Sequence, residues 1–367
     1  MSNKQKVRYA VVGLGWFAQE AILPAFARAK NSELVALVSG DGAKRDELGA
    51  RYGTRHAVDY EGYDELLGSG EIDAVYIALP NTLHKDYTVR AARAGVHVLC
   101  EKPLAMNEAE CREMIDACRK ADVKLMVAYR LHFEKATLEA IEAIEAGEIG
   151  EPRSFSSIFT MQVEPGNSRL DRELNAGPLY DIGVYCINAA RNLFRAEPIE
   201  ITALAGRKAD DERFDEVDEQ LGVVMRFPGD RLATFVIGFG AREYNRLDVL
   251  GTRGHLALSP AYSHSSALKI EIDAEGKSRS HKVPHRDQIA PEIVYFSECI
   301  QENREPEPSG EEGLFDARVI GAVQESMASG RSVRIAPAQK RDRPDQSQEK
   351  AVRPHGKPDL VRAQPPH

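Results

Sequence analysis

Val7-Arg-Tyr-Ala-Val-Val-Gly13-Leu-Gly15-Trp-Phe-Ala18 decides the reading of this chain. A short apolar run, Arg8 to Val12, stops at a GxGxxA turn, and a helical pattern, Phe17 to Lys30, begins at once. Strand, glycine turn and helix in that order form the context a dinucleotide fingerprint requires; the bare motif is weak without it. The first glycine allows a tight turn, the second lets the backbone approach a pyrophosphate, and Ala18 in third place keeps helix and strand close. The helix N-terminus then faces phosphate charge. Leu14, Trp16 and Phe17 lie in the same turn and join Gly13 and Gly15 as cofactor-binding candidates. Pro24 removes one helical hydrogen bond and predicts a kink or a restart.

Working outward, further apolar runs at Leu34 to Ser39, Ala74 to Leu79, Val96 to Glu101 and Lys124 to Tyr129 read as strands buried on both faces of a parallel sheet. Helical patterns at Arg45 to Tyr52, Lys85 to Ala94 and Glu108 to Ala121 alternate with them. The last places Cys111, Met114, Ile115 and Cys118 on one apolar face. Alternation of this kind predicts a doubly wound α/β domain over residues 1–130.

From about residue 151 the texture changes. RSFSSIFTMQV, IEITALAG, EQLGVVMRF, LATFVIGF and HLALS are rich in β-branched and aromatic residues and are separated by turn residues. They predict an α+β domain over 131–335 with a large open, mainly antiparallel sheet, and helices at Leu179 to Phe194, Pro291 to Asn303 and Gly313 to Gly330. An open sheet needs a cover on its other face, and a second copy of the chain is the simplest one. Segments 163–175 and 242–246 read as loops. The stretch 336–367 has six prolines, no aromatic residue and seven Lys/Arg against four Asp/Glu. It reads as a disordered, solvated tail, with a docking or localisation segment as the functional alternative.

Composition narrows the function classes. The 367 residues carry a net charge of -9, are 43% hydrophobic and 29% charged, and contain no apolar stretch of the roughly 20 residues a bilayer requires. Nucleic acid and anionic membranes call for a basic face, so neither is expected as a partner. The N-terminal residues run straight into a strand without the apolar core of a secretory signal, which points to the cytoplasm. Five dispersed cysteines without a CxxC pair fit reduced thiols and no metal site.

Residues at the expected carboxyl ends of the strands carry the chemistry, because open α/β sheets place their ligands there. Ser39-Gly40-Asp41-Gly42-Ala43-Lys44 follows the second strand. Ser39 followed by Lys44 and Arg45 fits a 2′-phosphate, whereas the carboxylate of Asp41 is the group an NAD site uses to hold ribose hydroxyls. NADP is favoured over NAD. Leu79-Pro-Asn81-Thr-Leu-His84 and Glu101-Lys102-Pro103 end two further strands. In the second domain Asp181, Tyr185 and Asn188 fall at i, i+4 and i+7, which predicts one helical face.

With the glycine turn, PNxxH and EKP in this order, the sequence resembles the family of glucose-fructose oxidoreductase, inositol dehydrogenase and MocA proteins, from Val7 to about Ile335. DAVYIALPNTLHKDY, HVLCEKPLA, LMVAYRLHF, GPLYDIGVYCINAARNLF and PSGEEGLFDARVI carry the resemblance. It is strongest to the glucose-fructose branch, through LVSGD with Lys44, Tyr129-Arg130-x-His132 and DIGVYCIN. Many members have DxGxHxxD where this chain has Asp181-Ile-Gly-Val-Tyr185-Cys-Ile-Asn188, so Tyr replaces the proton-carrying His.

The resemblance implies a Rossmann domain, an oligomer (homodimer or homotetramer) formed through the open sheet, and NAD(P)-dependent oxidation or reduction of a sugar or cyclitol. It further implies Lys102, Tyr185 and Asp181 as catalytic residues. Tyr60 would lie on the adenine side, Arg130 near the nicotinamide or substrate, and Arg169 against the nucleotide. The branch has a Trp-Arg pair at that last point; here the Trp is Ser168. A phenol with pKa near ~10 is a poor base at neutral pH, and the Lys102 ammonium would favour its ionised form. The expected activity is oxidation of an aldopyranose at C1 to a lactone, with a second sugar as a further hydride acceptor. Oxidation of an inositol or glycoside ring hydroxyl is the alternative, and a non-catalytic dinucleotide-binding redox sensor is the rival from another class.

Overall fold

The computed structural model describes residues 5–174, 176–340 and 342–365. Residues 1–4, Asn175, Arg341, Pro366 and His367, which the readings of the N-terminus, the 163–175 loop and the tail include, lie outside the described residues. The chain divides into two compact units. Unit one comprises residues 5–130, 287–314 and 350–365; unit two comprises 131–286 and 315–349.

Unit one is built on a six-stranded parallel sheet. Its strands are β1 (Val7–Val12), β2 (Ser32–Val38), β3 (His56–Val58), β4 (Ala74–Ile77), β5 (His97–Glu101) and β6 (Leu125–Ala128), in the order β3-β2-β1-β4-β5-β6. The runs AVV of β1 and AVYI of β4 are wholly buried, as strands covered on both faces require. The order reverses between β1 and β4, the switch point at which such sheets bind ligands.

Helices α2 (Gly42–Tyr52), α3 (Tyr63–Gly68), α4 (His84–Arg93) and α5 (Glu108–Lys120) connect the strands. Asp41 caps α2 by accepting from the Lys44 N–H, and Gly53 at φ 64° ends it. Cys111, Met114 and Cys118 of α5 are buried as the helical spacing predicts. β3 and α3, three and six residues long, are too short to leave a periodic signal. The helical run 16–26 contains a π-turn at Ala18–Ile22 followed by α1 (Leu23–Phe26). The wider turn lies just ahead of Pro24, whose missing N–H it accommodates.

One boundary differs from expectation. Helix α8 (Ile289–Glu302) belongs to unit one: Ser297 Oγ lies 2.8 Å from both the Tyr9 hydroxyl and Ser32 Oγ, and Asn31 Nδ2 donates to Val294 O at 2.9 Å. A helical period does not state which sheet it will cover.

Unit two carries a nine-stranded mixed sheet. Its strands are β7 (Pro152–Gln162), β8 (Glu200–Gly206), β9 (Gln220–Phe227), β10 (Arg231–Gly238), β11 (Gly240–Gly251), β12 (Gly254–Leu258), β13 (Leu268–Ala274), β14 (Lys277–Val283) and β15 (Val333–Arg334), in the order β14-β13-β12-β11-β7-β10-β9-β8-β15. Every pair is antiparallel except β7 with β10.

Alternation along β7, β9 and β10 sends Phe155, Val223, Met225 and Phe235 inward. It leaves Ile158, Val224, Leu232 and Val236 on the outer face, 40–45% exposed. Residues 242–246, expected as a loop, lie within β11. Their charged side chains hid a strand whose partners supply the pairing. The β13–β14 hairpin turns at Glu275 and Gly276, both at positive φ, a turn signal that was readable in Asp-Ala-Glu-Gly. Helices α6 (Lys135–Glu145), α7 (Val184–Phe194) and the main part of α9 (Gly310–Ser329) complete the unit.

The segment expected to be disordered is instead anchored. In unit two Arg343, 5% exposed in its side chain, pairs with Glu197 at 2.8 Å. In unit one Val361 is 6% exposed. A few specific burials hold a segment whose average composition predicts none. All five cysteines are buried and free, no group of metal ligands occurs among the described residues, and no helix of the described residues is long and apolar enough to cross a membrane.

Candidate active site

In unit one the glycine turn closes β1 at the switch point. Gly13 N donates to Val38 O at 2.9 Å, and Gly13 adopts φ 96°. A Cβ there would overlap the carbonyl oxygen of Ala78 and touch Leu79, so glycine is demanded by the fold itself. Gly15 differs: a Cβ would meet no atom within 4 Å. Packing does not require glycine there, and the close approach of a ligand to the backbone does, so the turn fits a dinucleotide. Leu14 is buried, while Trp16 and Phe17 are half-buried with ring centroids 6.2 Å apart.

At the end of β2, Ser39 is buried, and Arg45 Nη1 donates to its carbonyl oxygen at 2.6 Å. The Tyr60 ring lies against Gly40, where a Cβ would come within 3.3 Å of it. Asp41 is held below the ordinary carboxylate range. Desolvation pushes it up, but the Lys44 N–H and the charge of Arg362 outweigh that push. Lys44 is half-buried on the first turn of α2.

The two remaining strand-end loops are tied to each other. His84 is fully buried, with Nε2 2.9 Å from Leu79 O and Nδ1 2.9 Å from Pro103 O. Burial pushes its pKa down, against the pull of those backbone groups. The His84 ring, expected as a cofactor contact, is sealed from solvent and braces the PNxxH turn on the EKP turn. Asn81 is half-buried at the start of its 3₁₀ turn.

Tyr76 donates to Glu101 Oε1 at 2.8 Å, and Lys102 N donates to Glu101 Oε2 at 3.2 Å. Surrounding protein pushes the partly exposed Glu101 carboxyl up, opposed by Lys102 and the Tyr76 hydroxyl. Lys102 itself is half-buried. Arg130, 5% exposed, donates from Nη1 to Gln288 Oε1 at 2.5 Å.

Glu292 on α8 was not legible as a participant. It is 0% exposed, its two carboxyl oxygens have no hydrogen-bond partner, and burial, then the neighbouring Glu101 charge, push its pKa well up despite Arg130. A buried carboxyl whose ionisation is disfavoured therefore lies in the electrostatic field of the EKP turn and Arg130.

In unit two the helical run 178–194 begins with a π-turn at Leu179–Gly183 and continues as α7. Gly183 packs closely on β10: a Cβ would lie 2.7 Å from Ile237 Cδ1, the end of a side chain that would have to shift. Arg169 Nε donates to Asp181 Oδ2 at 2.7 Å, with both side chains about a quarter exposed. The structure thus joins two residues that sequence reasoning assigned to different tasks.

Tyr185, 8% exposed, has its ring 6.0 Å from Phe159 and 6.1 Å from Tyr262. Tyr262 in turn stacks on Phe159, and its hydroxyl lies 2.7 Å from Ser157 Oγ. Neither neighbour was readable, since Phe159 lies on β7 and Tyr262 in the segment after β12, both far from α7 in sequence. Asn188 turns inward: its Oδ1 lies 2.8 Å from His132 Nε2, and its Nδ2 donates to Asp316 Oδ2 at 3.0 Å.

Residues 7–129 match the family model for the oxidoreductase family with an NAD-binding Rossmann fold, and residues 137–257 match that for the GFO/IDH/MocA C-terminal domain. Among curated relatives, D-xylose 1-dehydrogenase [NADP(+)] of Haloarcula marismortui is 33% identical over 90% of this chain and 93% of its own length. A dTDP-3,4-didehydro-2,6-dideoxy-alpha-D-glucose 3-reductase of Actinomadura kijaniata is 27% identical over 88% and 96%. Among solved structures, the aldose-aldose oxidoreductase of Caulobacter crescentus, complexed with glycerol, superposes with a TM-score of 0.85 at 36% identity, covering 90% of this chain and all of that one. The 3-ketoreductase of Actinomadura kijaniata, in complex with NADP and TDP-benzene, gives 0.81 at 26% identity, covering 88% and 98%.

Proposed function

This chain belongs to the Gfo/Idh/MocA family of oxidoreductases, and from that premise we propose that it transfers hydride between NADP and a sugar, oxidising an aldopyranose at C1 to a lactone. The observation that carries the reading is that the chain holds Lys102 and the Asp181/Tyr185 helix as well as the glycine turn. A redox sensor needs only the turn. Relatives named for NADP-dependent xylose oxidation and for aldose-aldose transfer support the substrate class and NADP.

In this reading the turn from Gly13 to Phe17 holds the pyrophosphate, and Ser39, Gly40, Lys44 and Tyr60 hold the adenosine end. Leu79, Asn81, Glu101, Lys102 and Arg130 serve the nicotinamide end. Arg169, through its ion pair, orients Asp181. The dinucleotide these residues would hold would supply the hydride-transfer chemistry at its nicotinamide end.

Lys102 binds the reacting hydroxyl, and Tyr185 serves as the acceptor of the hydroxyl proton; in the reverse direction Tyr185 gives it back. Phe159 and Tyr262 fix the Tyr185 ring, and Asp181 holds the sugar. A second reading, redox at a ring hydroxyl or ketone, is favoured by the likeness to the 3-ketoreductase. The exposed apolar face of Ile158, Leu204, Val224, Leu232, Val236 and Leu250 supports a homodimer or homotetramer through the sheet. The reading places the enzyme in the cytoplasm.

Absorbance at the reduced-nicotinamide band, followed on purified protein with aldoses, inositols and ketoses in turn, tests this. Aldose-dependent reduction of NADP is the expected result. Response to inositols alone would move the assignment to ring oxidation, and no response to any of them would favour the sensor.

A further inference from the structure

The C-terminal segment of unit one docks beside the nucleotide-binding turn. Gln19, buried in the helical run that follows Gly15, exchanges two hydrogen bonds with one residue of that segment. Gln19 Nε2 donates to Val361 O at 2.9 Å, and Val361 N donates to Gln19 Oε1 at 2.7 Å. Arg51 of α2 adds a second anchor, donating from Nη1 to Asp359 O at 2.5 Å. Arg362 follows the latch at φ 45°, a left-handed backbone that disfavours side chains and that neighbouring contacts must hold. Its Nη1 lies 3.3 Å from Asp41 Oδ1, and its side chain is 67% exposed.

We propose that Arg362 is a specificity-determining residue of the cofactor site, a cation brought by the C-terminal segment to the end of β2, where the 2′-phosphate of NADP binds. Asp41 stands two residues after Ser39, and a bare carboxylate there favours ribose hydroxyls and repels a phosphate. Its Oδ1 instead accepts from the Lys44 N–H at 3.3 Å and faces the Arg362 guanidinium. Arg45, the other nearby arginine, is turned back onto the Ser39 carbonyl. Arg362 is the most exposed cation of this corner, beside the half-buried Lys44 and Arg45. A guanidinium carries five donors in a planar fork, enough to keep Asp41 and engage phosphate oxygens together.

The proposal rests on NADP as the cofactor, and the unmodified enzyme tests that separately. Dissociation constants for NADP and NAD are measured by Trp16 fluorescence on the full chain, on Arg362→Gln and Arg362→Lys, and on a chain ending at Glu349. Arg362→Gln should weaken NADP binding by about 5- to 30-fold, the loss of one charge-assisted phosphate contact, and leave NAD binding within about twofold. Arg362→Lys should recover part of the loss, and the shortened chain should lose at least as much as Arg362→Gln. An unchanged NADP-to-NAD ratio in Arg362→Gln overturns the proposal, whatever the fate of the shortened chain. Tighter binding of NAD than NADP by the unmodified enzyme overturns the cofactor reading and the proposal with it.

Discussion

Arg343 Nη2 lies 2.8 Å from Glu197 Oε1 with both side chains at most 5% exposed, so a residue of the proline-rich C-terminal segment completes a buried ion network. Glu197 Oε2 also pairs with Arg191 Nε at 2.5 Å, and Arg191 pairs with Asp316 where both side chains are fully buried. Asp316 accepts from Asn188, which places the network directly under the helix that carries Tyr185. Removing one member of a buried pair typically costs about 3–5 kcal/mol, because its partner stays buried and uncompensated. Arg343→Gln should therefore lower the unfolding free energy obtained from urea titration by an amount of that order, with a lower midpoint, and Glu197→Gln combined with it should recover part of the loss. A midpoint within experimental scatter of the unmodified protein contradicts the network's role.

Tyr185→Phe removes only the hydroxyl, leaving the ring against Phe159 and Tyr262. Turnover should fall by roughly two or more orders of magnitude, and Lys102→Ala should do the same, if the pair moves the proton. NADP affinity of Tyr185→Phe should remain within a few-fold. Near-normal turnover in Tyr185→Phe would remove it from acid-base work.

The two glycines of the turn should separate in experiment. Gly13→Ala must overcome a positive φ and overlap with Ala78, so it should destabilise the fold by about 1–3 kcal/mol. The Cβ of Gly15→Ala meets no neighbour, so its melting temperature should stay close to that of the unmodified protein while dinucleotide affinity drops at least tenfold. Equal behaviour of the two variants in melting and binding would refute the division.

His84 links stability to pH. Its folded pKa lies below the ordinary value of 6.5, because burial opposes the charged ring. The unfolded chain then binds more protons below that value, so this contribution is intact above pH 6.5 and is lost as pH falls toward the folded pKa. Urea midpoints of the protein and of His84→Gln between pH 7.5 and 5.5 should show the steeper acid loss in the unmodified protein. Parallel curves would contradict it.

What could be read from the sequence was whatever rests on neighbouring residues. The apolar runs of β1, β2, β4, β5 and β6, the Gly13 turn and the spacing of Asp181 and Tyr185 are local patterns, because a strand or helix shows its buried face within a few positions. The long-range partners were not local. β11 was hidden by charged residues at 242–246, α8 returned to unit one, and His84 proved to be a brace with its ring sealed away.

Arg169 met Asp181, Glu292 was buried among charges, and the segment after residue 335 was anchored through Arg343 and Val361. Each of these turns on the free energy of burying a polar or charged group, which changes sign with the partner it finds. That partner is often a hundred or more residues away along the chain, so local patterns named the family and its chemistry, and only the tertiary structure decided which polar groups face a ligand and which hold the scaffold.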